Sequence, residues 1–155
     1  METNLWNSYN NEWMVLDYKQ FTPGEAIKPG TLLILEQLPG IIEVADMSVY
    51  LQENTYWASY NVPYFPYIFN MSGAMASYEK FGPWFSYNGA PRAQIFKRDH
   101  HKVVDMDTMM KLMRYNDYKH DPLSRCNCTP PYSGENGISA RSDLNQRMES
   151  IRLEH

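Results

Sequence analysis

Two polar side chains, Asn61 and Arg92, stand in settings that suit them to bind a reacting group. Asn61 ends an aromatic run and precedes Val62-Pro63, so its amide would project from the end of a strand as an uncharged donor to a developing oxyanion. Arg92 follows Pro91, and a rigidly held guanidinium can bind a carboxylate or phosphate through two hydrogen bonds. On residue types alone, ordinary turn positions are the simpler interpretation of both residues.

The histidines offer two further candidate sites. His120 precedes Asp121, and a carboxylate can orient an imidazole and raise its basicity for acid–base catalysis. Adjacent residues of an extended chain point to opposite faces, however, and an Asp before Pro122 is typical of a turn, which we favour. His100 and His101 have no partner at metal-ligand spacing, so a surface turn is the better interpretation.

Cys126 and Cys128 are the cysteines of the sequence, separated by one residue. This spacing supplies at most half of a zinc site. A disulfide between them closes a tight ring, but an oxidising compartment would still favour it over two exposed thiols. We therefore expect a Cys126–Cys128 disulfide ahead of two free thiols, and a metal site last.

Apolar runs predict the strands that would position these side chains. They cover residues 13–18, 31–37 and 41–45, with a further aromatic strand at residues 56–60 just before Asn61. Pro39 and Gly40 separate the second run from the third and predict a tight hairpin. Because the runs are almost continuously apolar, we expect a sheet that is covered on both faces.

Two helices are predicted in the second half of the chain. Ser72 can cap a helix that runs to Phe81, with Gly82 as its left-handed stop. Asp105 can cap a second helix, which would end near Asn116. This second helix carries methionines 106, 109, 110 and 113 at helical spacing, a stripe that is typical of core filling. Strands with covering helices predict a layered α+β domain.

Composition narrows the classes of function. The 155 residues fit one domain, and 43% hydrophobic content supports a core. The net charge of −4 with scattered basic residues disfavours nucleic acid as a partner. The longest apolar runs are too short for a transmembrane segment, and the N-terminus lacks the pattern of a signal peptide. Asn70 and Asn127 nevertheless begin N-glycosylation patterns, which are weak indications of a secretory route.

Six motifs occur in order along the chain and carry a family resemblance. They read YNNEWMVLDYKQF, LLILEQLPGIIEVAD, TYWASYNVP, FGPWFSYNGAPRAQIFKRD, MRYNDYKHDPLSRC and ENGISARSDLN. Together they resemble the phospholipase B-like proteins over residues 9–145. The segments 1–8 and 146–155 are expected to be an unmatched N-terminal segment and an unmatched tail.

The resemblance implies an N-terminal nucleophile hydrolase with an αββα sandwich, incomplete in this chain. In such enzymes a new N-terminal Cys attacks ester or amide bonds, with its own amine as base. Asn61 would then help to form the oxyanion hole, and Arg92 would line the pocket and tune the nucleophile. No cofactor is implied, the substrate would be a phospholipid or another acyl compound, and the location would be the lysosome or the exterior.

The nucleophilic Cys of the family lies upstream of the matched region, so we expect this chain alone to be inactive. A separate N-terminal chain that carries the nucleophile is the implied partner. The alternative function is a non-catalytic lysosomal or secreted glycoprotein fragment that binds lipid or a partner chain, which the 12 Tyr and 4 Trp residues favour.

Overall fold

A computed structural model describes residues 11–125 and 136–141. The chain divides into two compact units, residues 1–87 and residues 88–155, which we call the N-terminal unit and the C-terminal unit. The described residues form an α+β structure with one small sheet and several short helices. In the part of the chain that is described, no helix combines the length and the apolar character needed to span a bilayer.

The N-terminal unit is built on a three-stranded antiparallel sheet in the order β1-β2-β3. Its strands are β1 (Glu12–Leu16), β2 (Leu32–Leu38) and β3 (Ile41–Asp46). Pro39 and Gly40 join β2 to β3 in the predicted hairpin, and Gly40 adopts a φ of +80°, as the second central residue of a Pro-Gly turn must. The three apolar runs are confirmed as strands, with ends shifted by one or two residues.

Three α-helices follow the sheet in the N-terminal unit. They are α1 (Ser48–Asn54), α2 (Pro66–Met71) and α3 (Ala74–Phe81), and short 3₁₀ helices cover Tyr18–Gln20 and Pro83–Phe85. The Asp46 carboxylate, one residue before the N-cap Met47, accepts the backbone N–H of Ser48 at 2.9 Å and so satisfies a free donor in the first turn of α1. Pro66 is the first residue of α2, where a missing N–H removes no helical hydrogen bond. α3 starts one residue later than predicted, because Gly73 and not Ser72 is its N-cap, and it ends at Phe81 before Gly82 as predicted.

The core of the N-terminal unit lies between one face of the sheet and the helices. Leu32 and Ile34 of β2 point to this inner face, and Phe65 and Ile68 pack against them from α2 and its approach. Met47, just before α1, completes the buried cluster. The alternation along β2 therefore places one set of side chains in the core and the other on the opposite face.

The opposite, outer face of the sheet is apolar and exposed. It carries Trp13, Val15, Leu33, Leu35, Ile42 and Val44, which meet in register across the three strands. Trp13 is 49% exposed and Ile42 is 64% exposed. The expectation of a sheet covered on both faces is thus not met within the described residues, because α1 and α2 cover only the inner face.

The C-terminal unit is helical in its described part. It contains α4 (Pro91–Asp99), a 3₁₀ helix at His100–Lys102 and α5 (Met106–Met113). The predicted cap at Asp105 is confirmed: its carboxylate accepts the backbone N–H of Thr108 at 2.8 Å, and the Thr108 hydroxyl accepts the N–H of Asp105 at 3.0 Å. This reciprocal pair satisfies two backbone donors at the start of α5.

The methionine stripe of α5 is not the core that its spacing predicted. Met106 is 72% exposed, and the other methionines of the stripe are exposed as well. Leu112 is the buried residue of the helix. Helical spacing shows that these side chains share a face, but it does not show what covers the face.

Residues 56–60 do not form the predicted strand. The segment belongs to no strand, and side chains of other segments hold it instead of a ladder. The Ser59 hydroxyl donates to the Glu12 carboxylate, and the Tyr87 hydroxyl donates to the Ala58 carbonyl at 2.7 Å. Aromatic content alone therefore does not distinguish a strand from a loop held by side chains.

Candidate functional site

Asn61 lies at the start of a short connection that leads into α2. Its φ is +60°, a left-handed conformation that Asn tolerates better than most residues. Tyr60 before it is buried, and Phe65 at the other end of the connection belongs to the core. The two buried aromatic residues anchor the connection, while Asn61 itself is exposed.

A cleft of about 610 Å³ opens beside Asn61. It is lined by Asn11, Glu12, Asn61, Val62, Pro63, Ser72, Gly73, Ala74, Ser77 and Phe85, all in the N-terminal unit. The lining combines two amides, a carboxyl and two hydroxyl groups with apolar surface. Such a cleft, apolar with a few convergent polar groups, is the usual form of a small-molecule site.

Glu12 brings a carboxyl group with a perturbed pKa into the cleft. Burial raises its pKa above the usual value, and the nearby charge of Glu36 raises it further. Glu12 and Glu36 are direct cross-strand neighbours in the β1–β2 pair. The Ser59 hydroxyl donates to Glu12 from the segment that precedes Asn61. The carboxyl is therefore tied to that segment on one side and to the sheet on the other.

Glu36 is a buried carboxylate that the sequence analysis missed. It is only 3% exposed and accepts the backbone N–H groups of Tyr64 at 2.7 Å and Phe65 at 3.0 Å. Burial raises its pKa, while these two hydrogen bonds act in the opposite direction. A charged residue inside the apolar run LLILEQL was the available signal, since a buried charge needs dedicated partners.

An aromatic cluster supports the segment that leads to Asn61. The Trp57 and Tyr64 rings are 4.8 Å apart, and the Tyr60 and Tyr87 rings are 5.1 Å apart. Burial raises the pKa of Tyr60 and of Tyr87 well above the usual value of 10.0. Both hydroxyls are consequently neutral near pH 7, and the cluster acts as a rigid apolar support.

Arg92 is the second residue of α4 and is half-buried. The approach to the helix is held by the Gln94 amide, which donates to the Gly89 carbonyl at 2.7 Å. Because Pro91 starts the helix, Arg92 is placed on a defined helical turn and not in the loop that its sequence context predicted. Arg92 and Asn61 belong to different units, so each is described within its own unit.

Arg98 organises a charged network in the C-terminal unit that the sequence analysis did not identify. Its guanidinium contacts the carboxylates of Asp99 at 2.7 Å and Asp121 at 3.0 Å. Lys102 binds Asp99 at 2.7 Å, and the Tyr115 hydroxyl donates to Asp121 at 2.6 Å. The hydrogen bond from Arg98 is the largest effect holding the pKa of Asp99 at about 2.

The structure shows where the two candidate histidine sites lie and what His120 and Asp121 contact. His120 pairs with Asp117 at 2.8 Å, whereas Asp121 is buried in the Arg98 network and also accepts the Leu123 backbone N–H at 3.0 Å. The turn interpretation of His120-Asp121 is therefore supported by the structure. His100 and His101 lie in the short 3₁₀ helix after α4, consistent with a surface turn.

Three of the remaining predicted site residues lie outside the described part of the chain. They are Cys126, Asn127 and Cys128, so the disulfide and the second glycosylation site stay predictions. Asn70 lies in α2 and is exposed. Its acceptor role is likewise a prediction, and its exposure is compatible with it.

The sequence is similar to one protein family. The sequence model described as Phospholipase B matches residues 4–153. "Putative phospholipase B-like 2" of Bos taurus is 59% identical over 141 residues and that of Homo sapiens 57%, and both alignments cover 89% of this chain and 24% of the relative. "Phospholipase B-like protein B" of Dictyostelium discoideum is 44% identical over 138 residues, which are 89% of this chain and 23% of the relative. The chain thus spans about a quarter of the length of the curated relatives it matches.

Proposed function

The chain belongs to the phospholipase B family, and on that premise we propose that it forms part of a hydrolase that cleaves acyl ester or amide bonds of lipids. The observation that carries the proposal is the cleft beside Asn61, which places an amide donor among convergent polar groups. In this proposal Asn61 is an oxyanion donor, and Arg92 lines the substrate pocket and tunes the nucleophile. The nucleophilic Cys comes from the part of the family sequence that this chain does not span.

The proposed reaction follows the chemistry of N-terminal nucleophiles. The Cys thiolate adds to the acyl carbonyl, and the Asn61 amide N–H donates to the oxyanion of the tetrahedral intermediate. Collapse of the intermediate breaks the bond to the leaving alcohol or amine, which takes up a proton, and leaves an acyl-enzyme. Water then hydrolyses the thioester, releases the fatty acid and restores the thiol. Asn61 needs no charge for this role, since a fixed N–H dipole suffices.

The same family membership leads us to propose an αββα sandwich for the complete domain. The inner face of the sheet is covered by α1 and α2. The apolar outer face, with Trp13, Val44 and their neighbours, is the surface on which a second sheet would pack. Its exposure in this chain supports the proposal, because exposed apolar patches of this kind usually mark an interface.

A chimera provides the test of the proposed activity. In the human relative, the aligned region of 141 residues is replaced by the corresponding residues of this chain, and fatty-acid release from phospholipids and N-acyl amides is measured. We expect turnover by the chimera and none by the 155-residue chain alone. Asn61→Ala should lower kcat by roughly 10²–10³-fold, as removal of an oxyanion donor does elsewhere.

Two further variants secure the interpretation. Asn61→Asp removes the N–H donors while an Asx residue keeps the left-handed backbone, and it should be as impaired as Asn61→Ala. Asn54→Ala, on α1 and outside the lining of the cleft, is the matched control and should keep full activity. Turnover by the isolated chain, or full activity of both Asn61 variants in the chimera, would refute the proposal.

The alternative function is a non-catalytic fragment that binds lipid or a partner chain. A second cavity favours this alternative. An apolar groove of about 440 Å³ lies in the N-terminal unit between the end of β1 and α1. Leu16, Phe21, Ile27 and Leu51 line it with Tyr18. Stabilisation of the isolated chain by lipid vesicles, in the absence of turnover by the chimera, would favour this alternative. No thermal shift across a lipid panel would remove it.

We propose a lysosomal or secreted location with Asn70 as a glycan acceptor. The exposed position of Asn70 on α2 supports this proposal. The chain expressed through the secretory pathway should lose mass on treatment with an N-glycosidase, and Asn70→Gln should reduce that loss. An unchanged mass loss in Asn70→Gln would show that the glycan is elsewhere.

A further inference from the structure

We propose that Glu36 is the positioning residue of the candidate site, and that its carboxylate fixes the connection 61–65 so that the Asn61 amide is presented to the cleft. The inference rests on the proposed oxyanion role of Asn61. Glu36 does not line the cleft. Its effect would be transmitted through the two backbone N–H groups that it binds, those of Tyr64 and Phe65.

The first argument is the cost of placing a carboxylate where Glu36 lies. It occupies the middle of the central strand, on the inner face that also carries Leu32 and Ile34, and is almost fully buried. Its cross-strand neighbours are Glu12 and Glu43, so it also faces two like charges. A hydrophobic residue would be the stable choice for packing alone. The carboxylate is tolerated because both of its oxygens accept backbone donors.

The second argument is the position of those donors in the chain. Tyr64 and Phe65 come three and four residues after Asn61, and Phe65 is the N-cap of α2. Phe65 has no polar side-chain atom to cap the helix, and no side-chain cap bond is made from that position. Glu36 instead accepts the N–H of the N-cap residue itself from another element, which is the bond that the Glu of a capping box normally makes from within the helix.

The third argument is that a carboxyl group holds the other side of Asn61 as well. Glu12 binds the Ser59 hydroxyl two residues before Asn61, and Glu36 binds the backbone after it. Because Glu12 and Glu36 are paired across β1 and β2, both supports have a fixed spacing set by the sheet. Asn61, in its left-handed conformation, is thus carried between two points of a rigid frame.

Backbone hydrogen exchange tests the structural half of the inference on the 155-residue chain. Glu36→Gln keeps the size of the side chain but places an NH₂ group against one of the two backbone donors. We expect exchange at Tyr64 or Phe65 to become at least about tenfold faster. The Thr55 backbone N–H, which donates to the Leu51 carbonyl of α1, reports whether the fold is kept. Glu43→Gln, which removes the neighbouring charge only, is the matched control and should leave all three amides unchanged.

A double-mutant cycle in the active chimera tests the functional half. Glu36→Gln should lower kcat about 5–20-fold with little change in KM, since an oxyanion donor acts in the transition state. In the Asn61→Ala background the same substitution should have no further effect, because Glu36 acts only through Asn61. A general loss of folding would instead multiply the two effects.

The possible outcomes separate this inference from the proposed function. Unchanged exchange at both Tyr64 and Phe65, or multiplied losses in the cycle, would overturn the positioning role of Glu36. A chimera without turnover, together with faster exchange in Glu36→Gln, would overturn the proposed hydrolase, and Glu36 would then remain an anchor of the connection 61–65 without a catalytic role. Faster amide exchange at Tyr64 or Phe65 in Glu36→Gln, together with losses of kcat that do not multiply in the cycle, would support both the positioning role of Glu36 and the proposed hydrolase.

Discussion

Glu12, Glu36 and Glu43 form a row of carboxyl groups across the inner face of the sheet. Burial is the main cause that raises the pKa of Glu12 and of Glu36 above 4.5. The folded chain therefore binds protons at Glu12 and Glu36 more tightly than the unfolded chain does. Their contribution to stability is fully present below pH 4.5 and is lost as the pH rises through the raised pKa values.

The first prediction concerns the pH dependence that follows from this row. The free energy of unfolding should fall as the pH is raised from about 4.5 toward neutrality, and Glu36→Gln should flatten that fall. Urea unfolding followed by tryptophan fluorescence at several pH values measures both slopes. Glu79→Gln on the exposed side of α3 is the control and should keep the original slope. An unaltered slope in Glu36→Gln would contradict the assignment.

The candidate site was only partly predictable from residue types. Asn61 and Arg92 were singled out because family motifs contain them, whereas residue types alone favoured ordinary turns, and their roles stay predictions. Glu36 was not found, because its partners Tyr64 and Phe65 lie 28 and 29 residues further along the chain. Local patterns identify a residue that is unusual for its run, but they do not identify which distant backbone donors will satisfy it.

At the scale of elements, α4 is joined to the turn that contains Asp121 through Arg98. Asp99 is the buried partner of both Arg98 and Lys102, each at 2.7 Å. This arrangement ties the last turn of α4 to the 3₁₀ helix that follows. It also places cations near the C-terminal end of a helix, where the helix dipole favours them.

The second prediction is that Asp99→Asn loosens this junction. The substitution should lower the free energy of unfolding by about 1–3 kcal/mol, the usual loss for hydrogen bonds to a charged group. Asp107→Asn, at an exposed position of α5, should change it by less than about 0.5 kcal/mol. Because the pKa of Asp99 is about 2, the difference should shrink as the pH falls below 3.8. Thermal and urea unfolding at pH 7 and pH 3 provide the measurements, and equal losses in both variants would count against the network.

The elements with strong local signals were the predictable ones. The β2–β3 hairpin has Pro39-Gly40 at its turn, and α5 has a capping Asp105 before its periodic face. The helices α1, α2 and α4 were not predicted, because each is short and two of them begin at a proline. Proline is equally compatible with a turn and with the first helical residue.

At the scale of the whole chain, apolar surface remains exposed in both units. The outer face of the sheet and the methionine face of α5 are the two examples. Both were predicted to be buried, the first from apolar runs and the second from helical spacing. The chain spans about a quarter of its relatives, so the covering layers are proposed to come from the rest of the domain.

The third prediction addresses the outer face directly. Replacing Ile42 and Val44 by lysine should make the isolated chain less prone to self-association, because exposed apolar sheet surface drives it. Sedimentation velocity over a range of concentrations measures the change. In the chimera the same pair should instead lower Tm, since two charges would be buried against the proposed second sheet.

Val104→Lys is the matched control, because Val104 is exposed but lies in the C-terminal unit. It should affect neither association nor the Tm of the chimera. If the lysine pair leaves the chimera as stable as the parent, the outer face is not covered in the complete domain and the sandwich proposal fails.

The hairpin turn at Pro39-Gly40 bears on the position of Glu36. Side chains alternate between the two faces of a strand, so a shift of β2 by one residue would move Glu36 from the inner to the outer face. The Leu38–Ile41 pair next to the turn prevents that shift. Nothing lies within 4 Å of the position that a Gly40 side chain would take, so φ alone requires glycine there. The length of this surface turn therefore fixes the register of β3 against β2, and with it the pairing of Glu36 with Glu43 on the face of the sheet that supports the connection 61–65.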